Sequence, residues 1–213
     1  MDKRFKLQAF FILLMFSMIS LSVFAADKSV PQCSGEPMVD LEKIIPDAVL
    51  DIRYASENNF LKQKLYQNAR CFLRQSVAAK LKLVADDLRK QDYRLILWDC
   101  YRPLSVQQKM WEIHPVAGEV ANPRSGSNHN RGAAVDVALA DMNGKIVELP
   151  TDFDYFGKKA WKDATKNISA KAIKHRTILQ QAMKKQGFWG IRKEWWHFNT
   201  NKPRQYPICK IEF

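Results

Sequence analysis

The run Ser127-Asn128-His129-Asn130-Arg131-Gly132-Ala133-Ala134-Val135-Asp136 sets an imidazole and a carboxylate seven positions apart across a glycine-containing turn. Both are zinc ligand types, and Gly132 lets the backbone reverse or approach closely enough for the two side chains to converge. Asp136 is the more telling of the pair. Its neighbours are Ala133, Ala134, Val135, Val137, Ala138 and Leu139, and a carboxylate in such a run is costly to bury unless a cation or strong donors compensate it. A second group, Glu194-Trp195-Trp196-His197, allows His197 to bind a metal while Glu194 reaches the water beside it. Three protein ligands leave one position open, as in a catalytic rather than a structural zinc site, and zinc can lower the pKa of its water to about 7. The expectation is one zinc ion per chain on His129, Asp136 and His197. Glu194 would take a proton from the attacking water and pass it to the leaving amine.

Arg102, in Asp99-Cys100-Tyr101-Arg102-Pro103, has two readings. Its permanent charge suits a tetrahedral oxyanion, and it equally suits a structural ion pair with Asp99. Residue chemistry leaves both open. Of the four histidines, His114 precedes Pro115 and reads as a loop residue, and His175 lies between Lys174 and Arg176 on what reads as a polar helix face; neither is expected to bind metal. Taken singly, His129 or His197 would be an ordinary packed or surface histidine. Together with Asp136 and Glu194 they make a metal site the better reading. Trp189, Trp195 and Trp196 are expected to pack in the core rather than line a cleft.

These side chains need elements to carry them. Residues 48–54 alternate and are rich in branched types, predicting a strand, and Asn58-Asn59 marks a turn. Over residues 74–91, Val77, Leu81, Val84, Ala85 and Leu88 recur at helical steps, predicting an amphipathic helix. Residues 94–98 predict a short buried strand that delivers Asp99 to Pro103, where Pro103 turns the chain into a helix starting near Ser105. A polar loop at 117–130 leads into a buried strand at 133–138, so the chemistry falls at a loop-to-strand junction. Ser169 can cap a helix whose apolar face is Ile173, Ile178, Leu179, Ala182 and Met183, with Gly187 to end it. Glu194 to Asn199 reads as the entry to a final strand. Strands and helices mix without a βαβ rhythm or an internal repeat, which predicts an α+β domain.

Composition sets the class and the compartment. At 213 residues, 46% apolar and 26% charged, the chain resembles one average globular domain, which argues against disorder and against a membrane bundle. The N-terminus carries Lys3, Arg4 and Lys6, an apolar run over 9–24, and Val23 and Ala25 as small residues before Ala26. That is the pattern of a signal peptide over 1–25, followed by a polar lead-in at 26–37 and a catalytic domain at 38–213. The expected location is periplasmic or secreted, with no stable membrane insertion once the signal is cleaved. Export makes disulfides the better reading of Cys33, Cys71, Cys100 and Cys209, since no C-x-x-C spacing suggests a metal ribbon. Sequence leaves the pairing open; chain position favours Cys33 with Cys209 and Cys71 with Cys100. The formal charge of +12 is spread over scattered Lys and Arg with no nucleic-acid-reading motif, so no nucleic-acid partner is expected and a solvated basic surface is. Attraction to anionic envelope polymers is a further expectation of that charge.

Three motifs together resemble the VanX-type D-alanyl-D-alanine dipeptidases, within the wider group of zinc D,D-peptidases that shares a fold with hedgehog signalling domains. They are Ser-x-His-x-x-Gly-x-Ala-x-Asp at 127–136, Glu-x-Trp-His at 194–197 and Trp-Asp-x-Tyr-Arg-Pro at 98–103. The resemblance implies a central, mostly antiparallel sheet flanked by helices, the zinc ligands and base named above, and Arg102 as stabiliser of the transition state. Asp51-Ile52-Arg53-Tyr54 with Asn58-Asn59-Phe60, and Phe153-Asp154-Tyr155, are similar to family segments whose Tyr and Asp bind the free amino end of the dipeptide. Tyr54 and Asp154 inherit that role by resemblance, and Ser127 that of binding the carboxylate end. The implied activity is hydrolysis of D-alanyl-D-alanine in wall turnover or D-alanine recovery. Two alternatives stand beside it: a D,D- or L,D-carboxypeptidase or endopeptidase acting on peptidoglycan stems, and a zinc-containing binding module without turnover.

Overall fold

The computed structural model describes residues 31–213; the signal-peptide reading of 1–25 lies outside the described residues. Strand β1 (Met38–Asp40) runs into the short helix α1 (Leu41–Ile44), which Asp40 caps by accepting the Glu42 N–H. Strand β2 is only Val49–Leu50. The expected strand over 48–54 breaks there, because the next residues bond elsewhere: Arg53 pairs with Asp51, and the Tyr54 carbonyl accepts the N–H groups of Leu65 and Tyr66. Residues Arg53–Ala55 form a 3-10 turn instead.

Strand β3 (Phe72–Arg74) pairs with β1 in a small antiparallel sheet and leads into helix α2 (Gln75–Arg89), whose Val77, Leu81, Val84, Ala85 and Leu88 are buried as their spacing predicts. Next come β4 (Arg94–Asp99), α3 (Leu104–Ile113) and β5 (Ala134–Ala140), all seven residues of β5 being buried. Helix α4 (Ala170–Lys185) starts at Ser169, whose Oγ accepts the Ala172 N–H. Its buried face is turned from the expected one. Ile173 and Ile178 are only partly buried, while His175 and Arg176 are buried. Loop carbonyls make this tolerable, since His175 Nδ1 donates to Glu148 O at 2.7 Å and Arg176 Nη1 to Ala164 O at 2.7 Å. The expected polar face around His175 is therefore an interior one.

Strands β6 (Phe188–Gly190) and β7 (His197–Thr200) complete a five-stranded sheet of order β2-β4-β5-β7-β6, parallel only between β2 and β4. Helices α2 and α4 pack on each other and on this sheet, giving the α+β, mostly antiparallel architecture that the motifs imply. Among the described residues no helix is long and apolar enough to cross a membrane.

Two features of the sheet fix the site. A bulge in β4 between Leu97 and Asp99 shifts the register so that Asp99 stands opposite Asp136, and Asp136 stands opposite His197 on β7. Directly opposed residues share a face, so three strands line up Asp99, Asp136 and His197 in one row. Disulfide Cys33–Cys209 ties the two ends of the described residues and Cys71–Cys100 joins β4's exit to the residue before β3, each with Cα atoms 5.3 Å apart.

Candidate metal centre

His129 opens a 3-10 turn, His129–Arg131, that ends at Gly132 in the left-handed region at φ 64°. The turn is held close to its neighbours: a Cβ on Gly132 would lie 2.5 Å from Met38 Cε, and the Gly132 carbonyl accepts the Arg74 N–H. Glycine is needed there both for its φ and for the approach. The turn aims His129 across the β5–β7 row. Its Nδ1 lies 2.8 Å from the Cys100 carbonyl oxygen; a carbonyl only accepts, so the proton is on Nδ1 and Nε2 carries a lone pair. That Nε2 lies 3.1 Å from His197 Nδ1 and 3.5 Å from Asp136 Oδ1, and His197 Nδ1 lies 3.0 Å from Asp136 Oδ1.

The three ligand atoms lie within 4.8 Å of one another, and all three residues are buried. Ligand atoms of two imidazoles and a carboxylate thus converge on one buried point, an arrangement that a cation would satisfy with His197 Nδ1 deprotonated. The donor set, borderline nitrogen with hard oxygen, fits zinc. The His129 carbonyl contact is the kind of outer bond that fixes a metal-binding imidazole. Burial works to lower the His129 pKa, but Asp136 and Asp99 outweigh it and raise it. For Asp136 burial alone would raise the carboxyl, yet His129 and His197 hold it well below the usual carboxylate range.

Glu194 stands beside this cluster, its Oε2 3.8 Å from His197 Nδ1. Burial pushes its carboxyl up to about 7; Asp136 and Asp154 add to the rise and His197 and Arg102 oppose it. A carboxylate titrating near neutrality is suited to moving protons in both directions. The structural reading of Arg102 is present, and it leaves N–H groups spare. Its Nε and Nη2 donate to Asp99 Oδ2 at 3.0 and 2.6 Å, and Nη1 donates to Gln107 Oε1 at 2.9 Å. Nη1 and Nη2 each keep a second N–H, and the residue lines the cavity over the metal cluster. Desolvation opposes its charge, but Asp99 and neighbouring groups outweigh that and keep it a cation.

Tyr54, carried by the 3-10 turn that replaces the end of the expected strand, donates its hydroxyl to Asp154 with both oxygens at 3.2 Å. Asp154 also accepts the Phe60 N–H. It sits at φ 58°, a region that Asp tolerates better than most residues. Burial, with Asp136 adding to it, raises its carboxyl to about 8. Ser127 Oγ accepts the His129 N–H at 3.2 Å. All eight residues that the sequence singles out for metal, base, oxyanion and substrate roles border one cavity of about 310 Å³.

Other contributors had no site role of their own in the sequence, where Asp99 stood only as a possible partner of Arg102. Asp99 is fully buried, holding Arg102 and accepting the Tyr66 hydroxyl at 2.6 Å, with Oδ2 3.4 Å from His129 Nδ1. The signal was there, since Asp99 ends an apolar run as Asp136 interrupts one. Tyr66 had none. Trp195 packs in the core as expected; Trp196 is buried but also lines the cavity, and Trp189 is 45% exposed and borders it, lying on edge strand β6, where one side has no neighbour to cover it. Arg131 and Arg204 also reach the cavity wall.

A family profile described as "D-ala-D-ala dipeptidase" matches residues 35–209. A D-alanyl-D-alanine dipeptidase of Escherichia coli is 31% identical over 176 residues, covering 83% of this chain and 91% of that protein. Proteins of the same name from Enterococcus faecalis and Enterococcus faecium are 27% and 26% identical, each covering 81% of this chain and 95% of the relative.

Proposed function

Because the chain belongs to the D-Ala-D-Ala dipeptidase family, we propose that it is a zinc-dependent dipeptidase that hydrolyses D-alanyl-D-alanine to two molecules of D-alanine. The observation that carries this reading is the joining, in one cavity, of a three-ligand cluster, a carboxylate titrating near neutrality and a buried acid that makes no ion pair among the described residues.

His129 Nε2, His197 Nδ1 and Asp136 Oδ1 are the atoms that would hold the metal. Zinc bound there would supply Lewis acidity toward the peptide carbonyl and toward water. Glu194 takes the proton from the attacking water and returns it to the leaving nitrogen. Arg102, fixed by Asp99 and Gln107, offers its remaining N–H groups to the oxygen on which charge develops. It is oriented before the substrate arrives, so no ordering is required at the moment of reaction.

Asp154 and Tyr54 receive the ammonium of the first residue. An ammonium beside Asp154 relieves the cost of ionising it where it is buried, whereas an amino-blocked or longer peptide leaves that acid unpaired. Ser127 faces the carboxylate end. The two disulfides fit an oxidising compartment. With the signal at 1–25, the lead-in at 26–37 and the catalytic domain at 38–213, we place the enzyme outside the cytoplasmic membrane, in wall turnover or D-alanine recovery.

The test is a substrate panel on zinc-loaded protein and on the E194Q variant. D-alanine should be released from the free dipeptide, with amino-blocked and tripeptide analogues cut at least about a hundredfold less efficiently. E194Q should keep its metal and lose roughly a thousandfold or more in kcat. Equal rates on blocked and free dipeptides would remove the dipeptidase assignment, and an active E194Q would remove the base.

A further inference from the structure

We infer that Arg204, backed by Arg131, is a specificity residue that receives the free carboxylate of the substrate's leaving residue, so that the cavity is the charge complement of a zwitterionic peptide. This deepens the dipeptidase reading and rests on it for the direction in which the peptide lies.

The cavity wall can be followed along β7, with Arg102 packed over Tyr54 and held by Asp99 and Gln107. Asp154 and Tyr54 form one end. The row Asp99, Asp136 and His197 crosses the middle. From His197 the strand runs on through Asn199, and the chain then enters the 3-10 turn Pro203–Gln205 that carries Arg204. The segment after this turn is docked on the loop that presents Ser127 and His129. Arg131 Nη1 donates to the Tyr206 carbonyl at 2.8 Å, the Cys209 N–H donates to the Asn130 carbonyl at 2.8 Å, and Gly126 packs so tightly that a Cβ would fall 2.6 Å from Ile208 Cδ1. A peptide with its amino end at Asp154 and its scissile bond over the metal ligands therefore points its carboxylate toward the Ser127 side, where the two arginines stand.

Arg204 is exposed and borders the cavity, yet it makes no hydrogen bond or ion pair among the described residues. The acids of the cavity are engaged elsewhere: Asp154 with Tyr54, Asp136 with the two imidazoles, Glu119 with His114 at 2.7 Å, and Glu194 beside His197. Arg131 stands on the same cavity wall, with Nη1 held by the Tyr206 carbonyl two residues after Arg204. Two guanidinium groups on one cavity wall, neither in an ion pair with an acid among the described residues, are stabilised by a bound anion. The planar fork of arginine fits a carboxylate in two-point contact. Ser127 can add a hydroxyl to the same group, but it brings no charge.

The experiment compares D-Ala-D-Ala with its C-terminal amide in wild type, R204Q and R204K, reading the ratio of kcat/KM for acid over amide. The same ratio in Kd is taken by calorimetry on the E194Q background. In R204Q the preference for the free acid should fall about tenfold, the worth of one charge-assisted hydrogen bond. R204K should retain the larger part of it, and salt should erode the wild-type preference. An R204Q protein that keeps the acid-over-amide ratio within about twofold of wild type, or that loses both substrates equally, overturns the inference. Failure of the dipeptidase reading looks different: zinc-loaded wild type would leave the free dipeptide intact and cut amino-blocked stem peptides, on which the acid-to-amide comparison still tests Arg204.

Discussion

Asp154 makes no ion pair among the described residues; its donors are the Tyr54 hydroxyl and the Phe60 N–H, and its carboxyl is raised to about 8. Its ordinary value in an unfolded chain is about 3.9. A carboxyl raised on folding contributes stability that is fully present below about 4 and is lost as pH rises through about 8. Asp154→Asn removes that titration while keeping an oxygen for the Tyr54 hydroxyl. In metal-free and substrate-free protein, the melting temperature of wild type should therefore fall relative to D154N between about pH 4 and pH 8. By about pH 9 the gap should have moved in the variant's favour by about 10 °C relative to pH 4. Parallel melting curves across that range would show that Asp154 ionises without cost. The dipeptide should narrow the gap for wild type alone, since its ammonium supplies the missing cation.

The element that matters most to the metal cluster is the turn His129–Arg131 and its exit at Gly132. An L-residue at φ 64° costs about 1–2 kcal/mol, and the added Cβ meets Met38 Cε and approaches the Arg74 N. Gly132→Ala should destabilise the protein by about 2–3 kcal/mol and weaken metal binding in a chelator competition, because the same backbone carries His129. A melting temperature within about 1 °C of wild type would mean that the turn is not under this constraint. Elements also show where spacing stops being informative. The strand expected over 48–54 ends after Leu50 because the Tyr54 carbonyl finds its donors at Leu65 and Tyr66. Helix α4 is turned so that His175 and Arg176 enter the interior, because carbonyls at 148 and 164 await them. Neither partner is visible within the window that defines the element.

Across the described residues, their two ends, near 34–36 and 207, and the His129–Arg131 turn are fastened at Arg74. This fully buried arginine donates Nε to the Arg131 carbonyl at 2.9 Å, Nη1 to the Ser34 carbonyl at 3.0 Å and to that of Glu36, and Nη2 to the Pro207 carbonyl at 3.2 Å. Cys33–Cys209 locks the same two ends, and Cys71–Cys100 braces the strand exit whose carbonyl holds His129. The disulfides should therefore differ in effect. Cys33→Ser with Cys209→Ser opens a sequence separation of 176 residues and should cost about 4 kcal/mol of stability. Cys71→Ser with Cys100→Ser opens a separation of 29, costs less by the same reasoning, and should lower metal affinity about tenfold by loosening the Cys100 carbonyl. Chelator titration and thermal melts on the two double variants test this; equal metal affinity in both would separate the Cys71–Cys100 bond from the site.

Residue type and short spacing were enough to determine the chemistry on offer. Histidine, aspartate and glutamate at 129, 136, 194 and 197 carry their ligand and proton-transfer potential wherever they stand, and an aspartate inside an apolar strand announces a compensating cation because desolvation of charge is costly in any fold. The α+β class was equally legible, since α2, β4 and β5 bury faces that recur at local periods. Only the tertiary structure decided that a bulge at the end of β4 brings Asp99 into the row of Asp136 and His197, that Tyr66 donates to Asp99 from 33 positions away, and that the C-terminal turn brings Arg204 to the cavity. These contacts join segments far apart along the chain. Their geometry is set by sheet register, turn φ and side-chain packing, which no local window contains.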